Sequence, residues 1–225
     1  YCTPLSRYIR ESANTVKIKD SEKKRNLGDV EDSAYPSGTP FFNNVMYPKN
    51  TSNYLEVRKH EQFVATVINK IESDYSAPMG KTALDKLYQQ NDLKTSTKKS
   101  FEAISDVLNS ISPVGELSEP ISTALYGPSS IFAFVDLIDM VVNKYKYDIL
   151  DADKFLKKFI KWETKKVEEA EVLTNTAEDR EVSYIWKQKY STHPENYNPV
   201  REMMRTELLR GSSIADKWVS EGIIK

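Results

Sequence analysis

SSIFAFVDLIDMVV, residues 129–142, is the most apolar run of the chain, and two aspartates, Asp136 and Asp139, sit inside it. At about 100° per residue, Ile131, Val135, Ile138 and Val142 form one helical stripe, and Phe134, Leu137 and Val141 widen it past half the circumference. Asp136, Asp139 and Asn143 share the narrow arc that is left, related by steps of three and four. The run is therefore expected to be a central helix, buried over most of its surface. An ionised carboxylate left alone in an apolar interior is costly, so its polar line must meet water or a cationic neighbour.

The surrounding sequence extends the same pattern. Leu55, Phe63, Val64, Val67, Ile68 and Ile71 recur at helical steps from Thr51 onward, and SDYSAPMG ends that run. A short helix is expected around Lys81 to Gln90, carrying Leu84, Leu87 and Tyr88. Phe101, Ile104, Val107, Leu108 and Ile111 mark the cleanest amphipathic stripe. SEPISTALYG reads as a short helix between Ser118 and Gly127. Residues 151–174 read as a long helix packed on one side through Phe155, Phe159, Trp162, Val167, Ala170 and Leu173.

Thr176 with Asp179 opens a further helix bearing Val182, Ile185 and Trp186. Asn198 as cap, Pro199 at the first helical position and Gly211 past the end frame a helix with Met203, Met204, Leu208 and Leu209. Ser212 or Ser213 caps a last one with Ile214 and Trp218. The expected fold is all-α, an irregular bundle of about eight to ten helices.

Composition agrees: the 225 residues include only seven glycines, and 29% are charged, a balance that suits long solvated helices over turn-dense β folds. Thirty-two basic residues stand against 33 acidic ones, so no basic surplus exists to track phosphates and no nucleic-acid partner is expected. The central apolar run is too short and interrupted to span a bilayer. Cys2 is the single cysteine, a free thiol or a bridge to another chain.

Residues 1–50 differ from the rest and are read as an N-terminal arm, with 51–174 as a central helical body and 175–225 as a C-terminal helical subdomain. Leu5, Tyr8 and Ile9 give the arm a short amphipathic start. Pro36, Pro40 and Pro48 then forbid continuous helix. Tyr35, Phe41, Phe42, Tyr47 and Tyr54 are too many aromatics for a freely solvated linker, so they are expected to dock on the body, and they form the candidate binding surface. Asn50-Thr51-Ser52 fits a glycosylation acceptor.

No catalytic, cofactor or metal set emerges. His60 and His193 are the only histidines, and HEQFV lacks the second histidine of a metalloprotease helix. YGPSS at 126–130 is not a nucleophile elbow, and no phosphate-cradling glycine loop occurs. Trp162, Trp186 and Trp218 share faces with apolar neighbours and read as core anchors. Asp-x-x-Asp at 136–139 suits a helical metal-diphosphate enzyme, but such sites carry denser acidic motifs on two facing helices, and no second copy appears.

YCTPLSRY, SDYSAPMGKTALDKLY, SPVGELSEPISTALYGPSS and KWETKKVEEAEVLTNTAEDREVSYIW, in a Lys-, Asn-, Ser- and Tyr-rich helical chain, resemble the merozoite surface antigens of piroplasm parasites. That resemblance implies a non-enzymatic adhesin at the cell surface. Its partner would be a protein or glycan of the host erythrocyte, and its membrane attachment a glycosylphosphatidylinositol anchor added beyond Lys225, for which these residues hold no signal. The start at Tyr1 fits a removed secretion signal. The alternatives are a secreted helical effector that binds a host intracellular protein and, behind it, the metal-diphosphate enzyme.

Overall fold

The computed structural model describes residues 4–12, 59–75, 81–90, 92–111, 128–172, 200–209 and 212–225, and the periodic segments within them become helices; the helices expected between Ser118 and Gly127 and from Thr176 through Trp186 lie outside the described residues. Eight helices and no strand are found among the described residues, so the fold is all-α as expected. Helix α1 (Pro4–Ser12) has proline at its first position, where a missing N–H costs nothing, and buries Leu5, Tyr8 and Ile9 against α2. Helix α2 (Lys59–Glu72) buries Val64, Val67 and Ile68 on one face.

Helix α2 ends in an unusual way. Asp74 and Tyr75 both adopt left-handed backbone, φ 48° and 64°, a region that disfavours residues with a Cβ. The turn is held by the Tyr75 N–H donating to the Lys70 carbonyl at 2.7 Å, the closing bond of a Schellman-type end. Helix α3 (Lys81–Tyr88) buries Ala83, Leu84 and Leu87 and leaves Tyr88 at the exposed rim. Helix α4 (Thr95–Asn109) buries Phe101, Ile104 and Leu108, with Ile111 just beyond, and packs on α2 and α5.

The central run is α5 (Pro128–Asp139), and it continues without a break into a π-helical turn, Met140–Lys144. Every residue from Ser130 to Val141 is buried. The wider turn shows in the Tyr145 N–H, which donates to the Met140 carbonyl five residues back at 2.9 Å. Helix α6 (Ala152–Val172) follows. Its Phe155 and Phe159 rings lie 5.8 and 5.3 Å from Phe134 of α5. Helix α7 occupies residues 200–209, and its last turn, Arg205–Leu209, is again π-helical. Helix α8 (Ser212–Ser220) sets Trp218 edge-on to Phe155, centroids 5.4 Å apart. One apolar cluster thus joins Leu5 of α1 to Ile224 at the far end.

After α8, Gly222 (φ 66°) reverses the chain so that Ile223 and Ile224 are buried. Backbone bonds between Asp148 and Lys225, 2.9 Å in both directions, and from the Leu150 N–H to the Ile223 carbonyl at 2.8 Å, pin the tail to the segment before α6. The bridge Ile149↔Ile224 is antiparallel. Among the described residues no helix is long and apolar enough to cross a membrane.

Candidate functional site

The two aspartates of the central helix do not lie at a wet edge. Asp136 and Asp139 are buried, and what meets them is cationic and polar side chains from other helices. Arg201 reaches across from α7 and shares its Nε–H between Oδ1 and Oδ2 of Asp136, at 3.1 and 3.0 Å. The Asp136 side chain has 0% exposure and that of Arg201 18%, so water screens this pair little. The guanidinium carbon stands 3.9 Å from the centroid of the Tyr75 ring, a close cation–π contact. The left-handed turn after α2 is what brings that ring under Arg201.

Lys70 completes the cluster from α2. It is fully buried, and its Nζ approaches the Tyr75 carbonyl at 3.5 Å. Burial pushes its pKa below the ordinary lysine value; the Asp136 carboxylate opposes that shift and the Arg201 guanidinium adds to it. Burial likewise raises the Asp139 carboxyl, against the pull of hydrogen bonds from Asn143 and Tyr75 and of the Arg201 and Lys144 charges. Asn143 donates to Asp139 Oδ1 at 2.6 Å and to the Ser100 carbonyl of α4 at 3.3 Å. Four elements therefore meet in one polar layer: the end of α2, α4, α5 with its π turn, and α7.

Above this layer lies a half-open cleft of about 490 Å³, lined by Asp74, Tyr75, Met140, Lys144, Arg201, Glu202 and Arg205. That volume falls in the range of small-ligand sites, about 300–1,000 Å³. Both π turns and the strained turn at Asp74–Tyr75 contribute walls. Such turns and strained backbone cluster at functional sites because the surrounding structure must over-determine them. The rim ions are loosely matched: Lys144 Nζ lies 3.8 Å from Asp74, with side chains 51% and 86% exposed. Arg205 forms a two-pronged pair with Glu202 one turn back along α7.

No family model, curated protein or solved structure matches the chain.

Among the described residues Asp136 and Asp139 do not converge on further acids. Among the described residues no three His, Cys, Asp or Glu side chains are placed to hold a metal. Of the two, Asp136 is the one shared with an arginine, and Asp139 is held by Asn143. A third buried carboxylate, Glu163 of α6, accepts from Ser130 Oγ at 2.7 Å.

Tyr35, Phe41, Phe42, Tyr47 and Tyr54, together with Cys2, Asn50, Trp186 and His193, lie outside the described residues. Trp162 and Trp218 are buried as core anchors, and Trp162 Nε1–H also donates to Glu207 of α7 at 2.9 Å. The sequence reading missed Lys70, Tyr75, Lys144, Arg201 and Arg205. One signal for two of them was present: Arg201 and Arg205 repeat at a step of four on a helix that also has an apolar face, the complement of the aspartate line on α5.

Proposed function

We propose that the protein is a non-enzymatic recognition module, a parasite cell-surface adhesin that binds a protein or glycan on the host erythrocyte. The observation that supports it is the half-open cleft standing on a layer of ions that neutralise one another. In that layout charge fixes the shape of a surface and does not activate a reactant. Rigid walls reduce the ordering cost of binding, and mixed charges at a rim give orientation and selectivity. The resemblance to piroplasm merozoite surface antigens supports the cellular setting, with the arm aromatics Tyr35, Phe41, Phe42, Tyr47 and Tyr54 as a second contact surface and a lipid anchor outside this chain.

The test is attachment of the purified chain to intact erythrocytes, compared with a variant lacking residues 35–50 and with the charge reversals Lys144→Glu and Arg205→Glu. Saturable attachment weakened by either change supports the reading. Absence of attachment by the unmodified, folded chain rejects it. Magnesium titration followed by tryptophan fluorescence addresses the enzyme alternative: a saturable response that Asp136→Asn removes would favour it.

A further inference from the structure

Helix α6 turns its apolar side chains inward: between Lys154 and Lys165, Phe155, Leu156, Phe159, Ile160 and Trp162 are all buried. What it leaves outside is a row of lysines. Lys154, Lys157, Lys161 and Lys165 follow one another at steps of three, four and four, all four are exposed, and the half-buried Lys158 stands beside them. Those steps put them on one line of the helix. No acidic residue occurs from Lys154 to Trp162, and Glu163, the first after it, is buried. Neighbours on such a line stand about 5–6 Å apart, and the row runs about 16 Å along the axis.

Carboxylates meet this row only at its margins. Lys154 pairs with Asp151 at 2.9 Å, Lys165 with Glu169 at 3.5 Å, and Lys158 with Glu221, just past α8, at 2.7 Å. Glu221 also lies 3.9 Å from Lys217 of α8, which brings a further cation to that side. In the middle, Lys157 and Lys161 have no carboxylate within ion-pair distance among the described residues, and Asp151 senses Lys157 only at longer range. Lys154 with Lys158, Lys157 with Lys161 and Lys161 with Lys165 are like-charge pairs four residues apart, an arrangement that opposes the helix. A bound polyanion removes that repulsion.

The composition of the face selects among polyanions. Lysine ammonium groups are compact, hydrated point charges without the planar fork of arginine, so they suit oxyanions repeated along a chain better than one oriented carboxylate. With no apolar or aromatic side chain exposed along the row, a protein partner lacks an anchor, a lipid surface lacks an apolar face to take up, and single-stranded nucleic acid lacks a platform on which to stack. We infer that the outer face of α6 binds a linear, sulfated glycan chain, with Lys157 and Lys161 as its central contacts and Lys154 and Lys165 extending them along the polymer. The inference rests on the adhesin reading for its setting and narrows the partner class from a protein or glycan to a polysulfated glycan.

The experiment is isothermal titration of the whole chain at constant ionic strength with heparin, with fully desulfated heparin, with vesicles of equimolar phosphatidylcholine and phosphatidylserine, and with a DNA duplex. Saturable binding of heparin, tighter than that of the other three, supports the assignment. Lys157→Gln combined with Lys161→Gln should weaken heparin binding more than about tenfold, since one opposite charge in contact is worth about fivefold even in water. Lys81→Gln combined with Lys86→Gln, the same loss of charge on α3, should leave it within about twofold. Because the exposed α6 lysines repel one another, their double variant should also melt no lower than the parent. Absence of heparin binding by the folded chain, equal binding of desulfated heparin, tighter binding to the vesicles or the duplex, or equal weakening by the α3 variant overturns the inference. No cell enters this experiment, so failed erythrocyte attachment with intact heparin binding rejects the adhesin reading alone, and attachment without heparin binding rejects only the glycan assignment.

Discussion

Replacing Arg201 by methionine isolates what the ion pair contributes. The variant keeps most of the apolar stem on Tyr75 but removes the guanidinium from a carboxylate with 0% exposure. Breaking a buried pair from one side costs about 3–5 kcal/mol, because the other charge is left desolvated. Loss of the cation–π contact adds about 0.5–1 kcal/mol at a partly exposed site. Lys70 stays close enough to share the Asp136 charge and offsets part of this, so the expected net loss is about 4 kcal/mol. Urea unfolding is the assay; with a slope near the upper end of about 1–3 kcal/mol per molar, the midpoint falls by more than about 1 M. Combined with Asp136→Asn, the loss should be smaller than the two single losses added, by about 1–3 kcal/mol of coupling. A cost below about 1 kcal/mol for Arg201→Met, or single losses that simply add, would refute the claim that these two groups form the keystone of the polar layer.

Three further outcomes follow from the same geometry. Asp139 has a folded-state pKa above its ordinary value of 3.8, so as pH rises from there to the folded value the unfolded chain releases the proton first and stability declines. Asp139→Asn should therefore gain on the parent between acid and neutral pH in paired urea titrations, and a gap that stays flat would contradict this. Phe134→Ala empties the junction with Phe155 and Phe159 and should cost about 3–5 kcal/mol, read as a lowered thermal midpoint. Glu207→Ala removes the acceptor of Trp162 Nε1–H and the partner of Lys166 at 2.8 Å; since Glu207 is partly exposed, about 1 kcal/mol is expected, and a loss above 3 kcal/mol would show that α7 depends on it far more than the contacts imply.

Within the described residues, helices and core were legible in the sequence because both follow from the spacing of apolar residues. Phe101, Ile104 and Leu108, or Phe155 and Phe159, could face nothing but the interior. The site was less so. Asp136 declared that it needed a neighbour, but Arg201 lies 65 residues away, and pairing at that range depends on how helices stack. Lys70 lies among Val67, Ile68 and Ile71 on a helix that otherwise shows an ordinary amphipathic pattern, and the Asp136 charge that favours its ammonium comes from a distant part of the chain. The π turns at Met140–Lys144 and Arg205–Leu209 leave no composition signal, since one extra residue in a turn suits any sequence whose ends are held by packing.

The short backbone clamp between Asp148–Leu150 and Ile223–Lys225 also has a mechanical meaning. A pull exerted on anything joined after Lys225 would be borne first by these few bonds, whose other side is the segment immediately following Lys144. Tension would thus arrive at the cleft wall without passing along α6 or α8. Single-molecule stretching from a carboxyl-terminal handle should register peeling of this tail as the first yielding event, ahead of rupture of the helical body.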